Sequence, residues 1–240
     1  MPQRRILALS SSRAGNSTYL EMAAPLIKKF LGSKATNIAF IPFASADKDY
    51  EEYTFKVRGA LKNLPFTIKA VLTENAKSVI DKNDVIMVGG GNTFKLLHDL
   101  YQLNLLEMIR DKVNAGAPYI GWSAGANITG ATIGTTNDMP IIEPKSFNAL
   151  KFFPFQINPH YYNQPIKGFN GETRDQRLKE FLKINPKIPI VCLPEGTALQ
   201  LEEQKLKFIG KNQGVLFYVN DLNSLIRKEI NSRTPLSYLL

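Results

Sequence analysis

The stretch Pro118-Tyr119-Ile120-Gly121-Trp122-Ser123-Ala124-Gly125-Ala126-Asn127 runs an apolar segment of strand length directly into small residues able to start a helix. Glycines two places before and two places after the serine permit a tight strand-to-helix turn. That turn lifts the hydroxyl clear of the sheet and aims the next backbone N–H at a developing oxyanion. The stretch therefore reads as a nucleophile elbow at the end of a buried strand. Across the amino-terminal half, apolar runs at 6–9, 38–42, 66–72, 84–88 and 118–122 alternate with longer amphipathic stretches at 16–31, 49–63, 76–81 and 93–114. This is the pattern of βαβ units building a parallel sheet. Within 93–114, Leu96, Leu97, Leu100, Tyr101 and Ile109 recur at helical spacing and predict a sheet-facing stripe.

Beyond Asn127 the pieces shorten and prolines punctuate them: 131–136, a loop through Asn137-Asp138-Met139-Pro140, and an apolar run at 154–158. A helix is predicted over 173–184, where Thr173 and Gln176 have capping-box spacing and Leu178, Phe181 and Leu182 form a stripe. Runs at 188–193, 197–202, 205–209 and 214–219 read as strands, with a hairpin at Glu202-Glu203-Gln204. Without repeats, low-complexity tracts or long linkers, residues 1–240 are expected to form a single α/β domain, with 221–240 as a C-terminal extension.

The 240 residues are 44% hydrophobic and 21% charged, which excludes disordered and collagen-like classes. Thirty Lys and Arg against 21 Asp and Glu give +9, a charge that favours anionic partners. The basic residues lie in short groups with acids between them and form no aromatic-interleaved stripe, so nucleic acid is not the expected partner. Four apolar residues after Arg4-Arg5 are too few for a secretory core, and no apolar run approaches the ~20 residues of a membrane span. The lone Cys192 cannot form an internal disulfide, so a cytoplasmic location is expected. Cys192 lies inside a strand and reads as an inert thiol, and two distant histidines make no metal cluster.

A serine hydroxyl needs a base, and histidine serves near neutral pH. His98 lies within a predicted helix, whereas His160 follows an apolar strand through Asn158-Pro159, at the end where active-site loops emerge. His160 is the expected base. Two carboxylates compete to orient it. Glu195 leaves the apolar strand at 190–192 much as His160 leaves its own, and Asp138 sits in a polar loop fifteen positions after Ser123. Glu195 is favoured, with Asp138 as the second candidate or as a substrate contact. The loop Gly89-Gly90-Gly91-Asn92-Thr93 opens a helix after an apolar strand but has neither dinucleotide nor phosphate-loop spacing. An oxyanion role suits it, with Gly91 and Ala124 as the two N–H donors and Gly90 and Asn92 beside the substrate. Arg174 and Arg177 open the helix at 173, where a guanidinium could clamp a carboxylate or simply pair with Asp175 or Glu172.

Six ordered motifs, Val88 to Phe94, Ile120 to Asn127, Thr135 to Pro140, Ile157 to His160, Gly171 to Arg174 and Leu193 to Gly196, resemble the peptidase E, or aspartyl dipeptidase, family over about residues 5 to 220. The resemblance implies a flavodoxin-like, mostly parallel sheet with helices on both faces, similar to class I glutamine amidotransferases. It also implies a serine hydrolase cleaving dipeptides with an N-terminal aspartate, without cofactor or metal. In that pattern Ser123 is the nucleophile and His160 the base, and the acid falls at either Glu195 or Asp138. Gly91 is the oxyanion donor, and Arg174 matches the position that recognises the aspartyl side chain. The expected partner is a small acidic dipeptide, and the chain a monomer or homodimer. A cyanophycinase-like peptidase acting on aspartyl polymers or isoaspartyl dipeptides and a non-catalytic anion-binding module are the alternatives. An α/β-hydrolase esterase fits poorly, because fifteen positions between Ser123 and Asp138 leave no room for that fold's extra strand-helix units.

Overall fold

Each strand of the amino-terminal half is followed by a helix that covers one face of the sheet. The computed structural model describes residues 4–164, 167, 168 and 170–240. Its first half runs β1 (Ile6–Leu9), α1 (Ala24–Leu31), β2 (Thr36–Ile41), α2 (Tyr50–Ala60), β3 (Phe66–Ala70), α3 (Ala76–Lys82), β4 (Val85–Val88), α4 (Thr93–Gln102), α5 (Leu106–Asn114), β5 (Tyr119–Trp122) and α6 (Ala124–Asn127). The remainder runs β6 (Gln156–Asn158), α7 (Arg174–Ile184), β7 (Ile190–Cys192), β8 (Ala198–Glu202), β9 (Lys205–Ile209), β10 (Gly214–Val219), β11 (Leu225–Ile230) and a 3-10 turn at Ser237–Leu239.

Among the described residues the strands form a seven-stranded sheet, β3-β2-β4-β5-β1-β8-β9, and a four-stranded sheet, β11-β10-β7-β6. In the larger sheet β3 through β1 are parallel, and β8 and β9 close the edge antiparallel. Counted from β2, the order is that of a flavodoxin-like sheet, with the chain's first strand in the fifth place. Alternation along the strands divides the core. Ile6, Ala8, Ile86 and Val88 pack with α3 to α6 on one face, whereas Leu7, Leu9, Met87 and Trp122 pack with α1 and α2 on the other. The inner parallel strands β1, β4 and β5 are buried along their whole length and so read as unbroken hydrophobic runs, whereas the edge strand β3 exposes Thr67 and Lys69.

Several boundaries differ from the sequence reading. The expected helix at 16–31 is ordered turns until Ala24, and the stretch 93–114 is two helices separated at Leu103 to Leu105, with Asn104 at φ 53°. The segment 131–136 holds no strand, only a bridge from Thr132 to Asn148. The expected hairpin is present: Glu203 (φ 49°) and Gln204 (φ 61°) join β8 to β9 in the left-handed conformation that a two-residue type I′ turn requires. Past Asn220 the chain supplies β11 and the buried Ile230 and Leu236. No helix among the described residues is long and apolar enough to cross a membrane.

Candidate active site

Ser123 follows β5 with φ 52° and ψ −113°, a conformation costing about 1–3 kcal/mol for a residue with a side chain. Three backbone bonds hold it there: its N–H donates to Leu9 O at 3.1 Å, and its carbonyl accepts from Ala126 N at 3.0 Å and Asn127 N at 2.8 Å. Both flanking glycines are obligatory. A Cβ at Gly121 would stand 2.3 Å from Gly125 O, and one at Gly125 would stand 2.4 Å from Val88 O.

His160 follows β6 and Glu195 follows β7, so the base and the acid come from the smaller sheet and the serine from the larger. Ser123 Oγ lies 2.9 Å from His160 Nε2, and His160 Nδ1 lies 2.9 Å from Glu195 Oε1. A carboxylate only accepts, so Nδ1 carries the proton and Nε2 is left to receive the serine's. Of the two carboxylates left open by the sequence, Glu195 meets the histidine. Asp138 as the histidine's partner is thereby corrected: its Oδ2 accepts from Thr93 N at 2.7 Å, Thr93 Oγ1 at 2.5 Å and Thr136 Oγ1 at 3.1 Å. The orphan N–H groups at the start of α4 attract that charge.

Residues without an assigned role in the sequence hold the histidine. Its backbone, at φ 51°, donates to Ser10 Oγ at 2.9 Å, and the buried Ser10 hydroxyl donates in turn to Leu193 O at 2.7 Å. Asn137 Nδ2 donates to Pro159 O at 2.8 Å, and Asn158 Nδ2 donates to Asn137 Oδ1 and Thr135 O, both at 2.7 Å. Asn137 and Asn158 lie inside motifs already noted; Ser10, the first of three serines after β1, gave no signal. His98 pairs instead with Asp99 on the flank of α4, at 3.0 Å.

The glycine loop crosses beside the serine. A Cβ at Gly90 would lie 3.0 Å from Ser123 Cβ, and one at Gly91 (φ 135°) would lie 2.3 Å from Ala44 O. The N–H groups of Gly91 and Ala124 donate to no acceptor among the described residues. Tyr53 OH donates to Gly90 O at 3.0 Å, and because a trans peptide is planar this also fixes the direction of the Gly91 N–H. Asn92, expected beside the substrate, has both ends of its amide engaged: Oδ1 accepts from Lys95 N at 3.0 Å and Nδ2 donates to Met139 O at 2.8 Å. Its side chain builds the loop, and the residue also lines the cavity beside it. A cavity of about 450 Å³, lined in part by Ala44, Asp47, Glu52, Tyr53, Gly90 and Gly91, opens on this side between the ends of β2 and β4. That is where strand order reverses and α/β sheets take ligands.

Arg174 is the first residue of α7, whose Thr173–Gln176 capping box is complete. Half-buried, it makes no hydrogen bond or ion pair with any described residue, and burial, then Arg177, lowers the pKa of its guanidinium. Such a cation lacks an anion. Cys192 is fully buried and its thiol pKa is pushed well up by desolvation, in keeping with an inert role. Among the described residues no group of three or more His, Cys, Asp or Glu is placed to hold a metal.

Known proteins resemble this chain over most of its length. The model of peptidase family S51 matches residues 6–209. The chain is 49% identical over 215 residues to a protein named Peptidase E from Nostoc sp., covering 89% of each chain. It is 45% identical over 219 residues to a Peptidase E from Haemophilus influenzae, covering 90% of this chain and 94% of that one. Among solved structures, a putative peptidase E protein from Listeria monocytogenes superposes with a TM-score of 0.69 at 24% identity, covering 88% of this chain and 100% of that one. A peptidase from an acI-B1 actinobacterium gives 0.70 at 15% identity, covering 98% and 96%. These two likenesses speak to the fold.

Proposed function

This chain belongs to peptidase family S51, and from that premise we propose that it hydrolyses dipeptides with an N-terminal aspartate through an acyl-enzyme on Ser123. The observation that carries the reading is the unbroken line from Ser123 Oγ through His160 to Glu195, with 2.9 Å at each step. Ser123 Oγ attacks the peptide carbonyl carbon as His160 Nε2 takes its proton. The carbonyl oxygen, now an oxyanion, is met by the N–H groups of Gly91 and Ala124. His160 passes the proton to the leaving nitrogen, the C–N bond breaks, and the second residue departs as a free amino acid. Water then attacks the ester, giving a proton to His160, which returns it to Ser123 Oγ as aspartate leaves. Glu195 holds the Nδ1 proton and the imidazolium throughout.

Arg174 takes the substrate's side-chain carboxylate, since a cation left unpaired by a neutral residue disfavours that residue. Asp138 takes the substrate's ammonium. Its Oδ2 is engaged by Thr93 and Thr136, while Oδ1 has no partner among the described residues. Holding the side chain and the ammonium of the first residue confines cleavage to the bond after an N-terminal residue. A cytoplasmic location is part of the same reading, supported by the single, buried cysteine. The test is hydrolysis of Asp-Leu by the parent protein and by Ser123→Ala. Loss of turnover in the variant, with β-aspartyl-arginine a poor substrate of the parent, is expected. Undiminished turnover in Ser123→Ala removes the serine from the mechanism, and preference for the β-linked substrate turns the reading towards polymer cleavage.

A further inference from the structure

Asp175 follows Arg174 directly in the chain and is buried, yet the two do not pair. Both Asp175 oxygens are occupied from elsewhere. Oδ1 accepts from Tyr161 OH at 2.5 Å, and Oδ2 accepts from Arg227 Nε at 3.0 Å, with Arg227 Nη2 a further 3.5 Å from the same tyrosine oxygen. Arg227 comes from β11, beyond the residues matched by the family model, and Tyr161 is the residue after the catalytic base. The other nearby acid, Glu172, faces Arg177 at 3.9 Å.

We propose that Arg227 is a positioning residue for substrate recognition: by holding the Asp175 carboxylate, it keeps that charge off Arg174 and leaves the guanidinium open to an incoming carboxylate. The physics is a competition. A buried carboxylate left without a partner is costly, so Asp175 takes the nearest cation available. With Arg227 present, that cation stands on β11. Without it, Arg174 is next, and an Arg174 paired to its own neighbour no longer receives the substrate. The inference rests on Arg174 binding the aspartyl carboxylate, and its test includes a readout that does not.

An arginine-selective dicarbonyl labels free guanidinium faster than paired guanidinium, and peptide mass spectrometry follows Arg174 alone. Arg227→Gln is expected to slow labelling of Arg174 several-fold and to raise KM for Asp-Leu by about tenfold with kcat little changed, the scale of one charge-assisted hydrogen bond. The double variant Arg227→Gln/Asp175→Asn is expected to recover both, because no charge remains to draw Arg174 away. A merely structural role for Arg227 predicts the reverse, with the double variant at least as impaired as the single. Should Arg227→Gln fail to fold, Arg227→Lys serves: one ammonium cannot hold Asp175 and also reach Tyr161, so a smaller slowing in the same direction is expected. Labelling and KM equal to the parent in the folded variant, or no recovery in the double variant, overturns the proposal. Arg174→Gln separates the premise. An unchanged KM there removes Arg174 from recognition, while the labelling series still decides what Arg227 does.

Discussion

Replacing Glu195 by glutamine keeps the shape of the side chain and removes its charge. At 2.9 Å, a full charge pair with His160 would be worth ~1.4 kcal/mol in bulk water and ~6 kcal/mol at the effective dielectric of a protein surface. The histidine and glutamate side chains are 41% and 52% exposed, so solvent screening places the loss in the lower part of that range. At ~1.4 kcal/mol per decade of rate, Glu195→Gln should lower kcat about ten- to a hundredfold. That is well short of the roughly ten-thousand-fold loss when a buried triad carboxylate becomes an amide. KM for Asp-Leu should stay near the parent value, because Glu195 touches the base and not the substrate. Asp138→Asn is the companion measurement and should raise KM, since Asp138 is assigned to the ammonium. Steady-state kinetics with matched melting temperatures decide between them. Activity of Glu195→Gln within twofold of the parent, with a collapse of kcat in Asp138→Asn, would refute the assignment and exchange the two roles.

Two further outcomes follow from the same geometry. Tyr53→Phe frees the Gly90 carbonyl, loosens the plane that carries the Gly91 N–H, and should lower kcat about tenfold at constant KM, the scale of one lost hydrogen bond. Kinetics indistinguishable from the parent would remove Tyr53 from the oxyanion loop. Burial raises the Asp99 carboxyl, but hydrogen bonds from Lys95, His98 and Tyr50 outweigh it, and the group titrates below its ordinary 3.8. A depressed carboxylate stabilises the fold above the unfolded pKa and loses that contribution as pH falls through the folded one, here below about 3.8. Asp99→Asn should therefore melt lower at pH 7 and lose less on acidification, and parallel melting curves below pH 4 would contradict it.

The parallel units were legible because strands buried on both faces are unbroken apolar runs, and because the elbow glycines are demanded by backbone contacts of 2.3 and 2.4 Å that no other residue allows. Ser123, His160 and the glycine loop follow such runs directly, so their place at strand ends could be read. The choice between Glu195 and Asp138 could not, since both are loop acids and linear order does not say which carboxylate the start of α4 will claim. The break between α4 and α5 is hidden because Leu97, Tyr101, Leu105 and Ile109 recur every fourth residue across it, the three aliphatic ones fully buried. Strand β11, Leu-Ile-Arg-Lys-Glu-Ile, is an edge strand with three exposed charged residues in a row, so it carries no apolar signature. Its register on β10 decides where Arg227 stands, and register is a property of the pair.

The nucleophile and its base are borne by different sheets, clasped together at the Ser10 hydroxyl between Leu193 and His160. Each sheet can keep its own ladder intact while the seam between them slips, and a misplacement of about 1 Å at reacting atoms is enough to cost on the order of a hundredfold in rate. Turnover is thus a finer gauge of how the halves are aligned than any spectrum of secondary structure. On heating, the protein should fall silent before it melts.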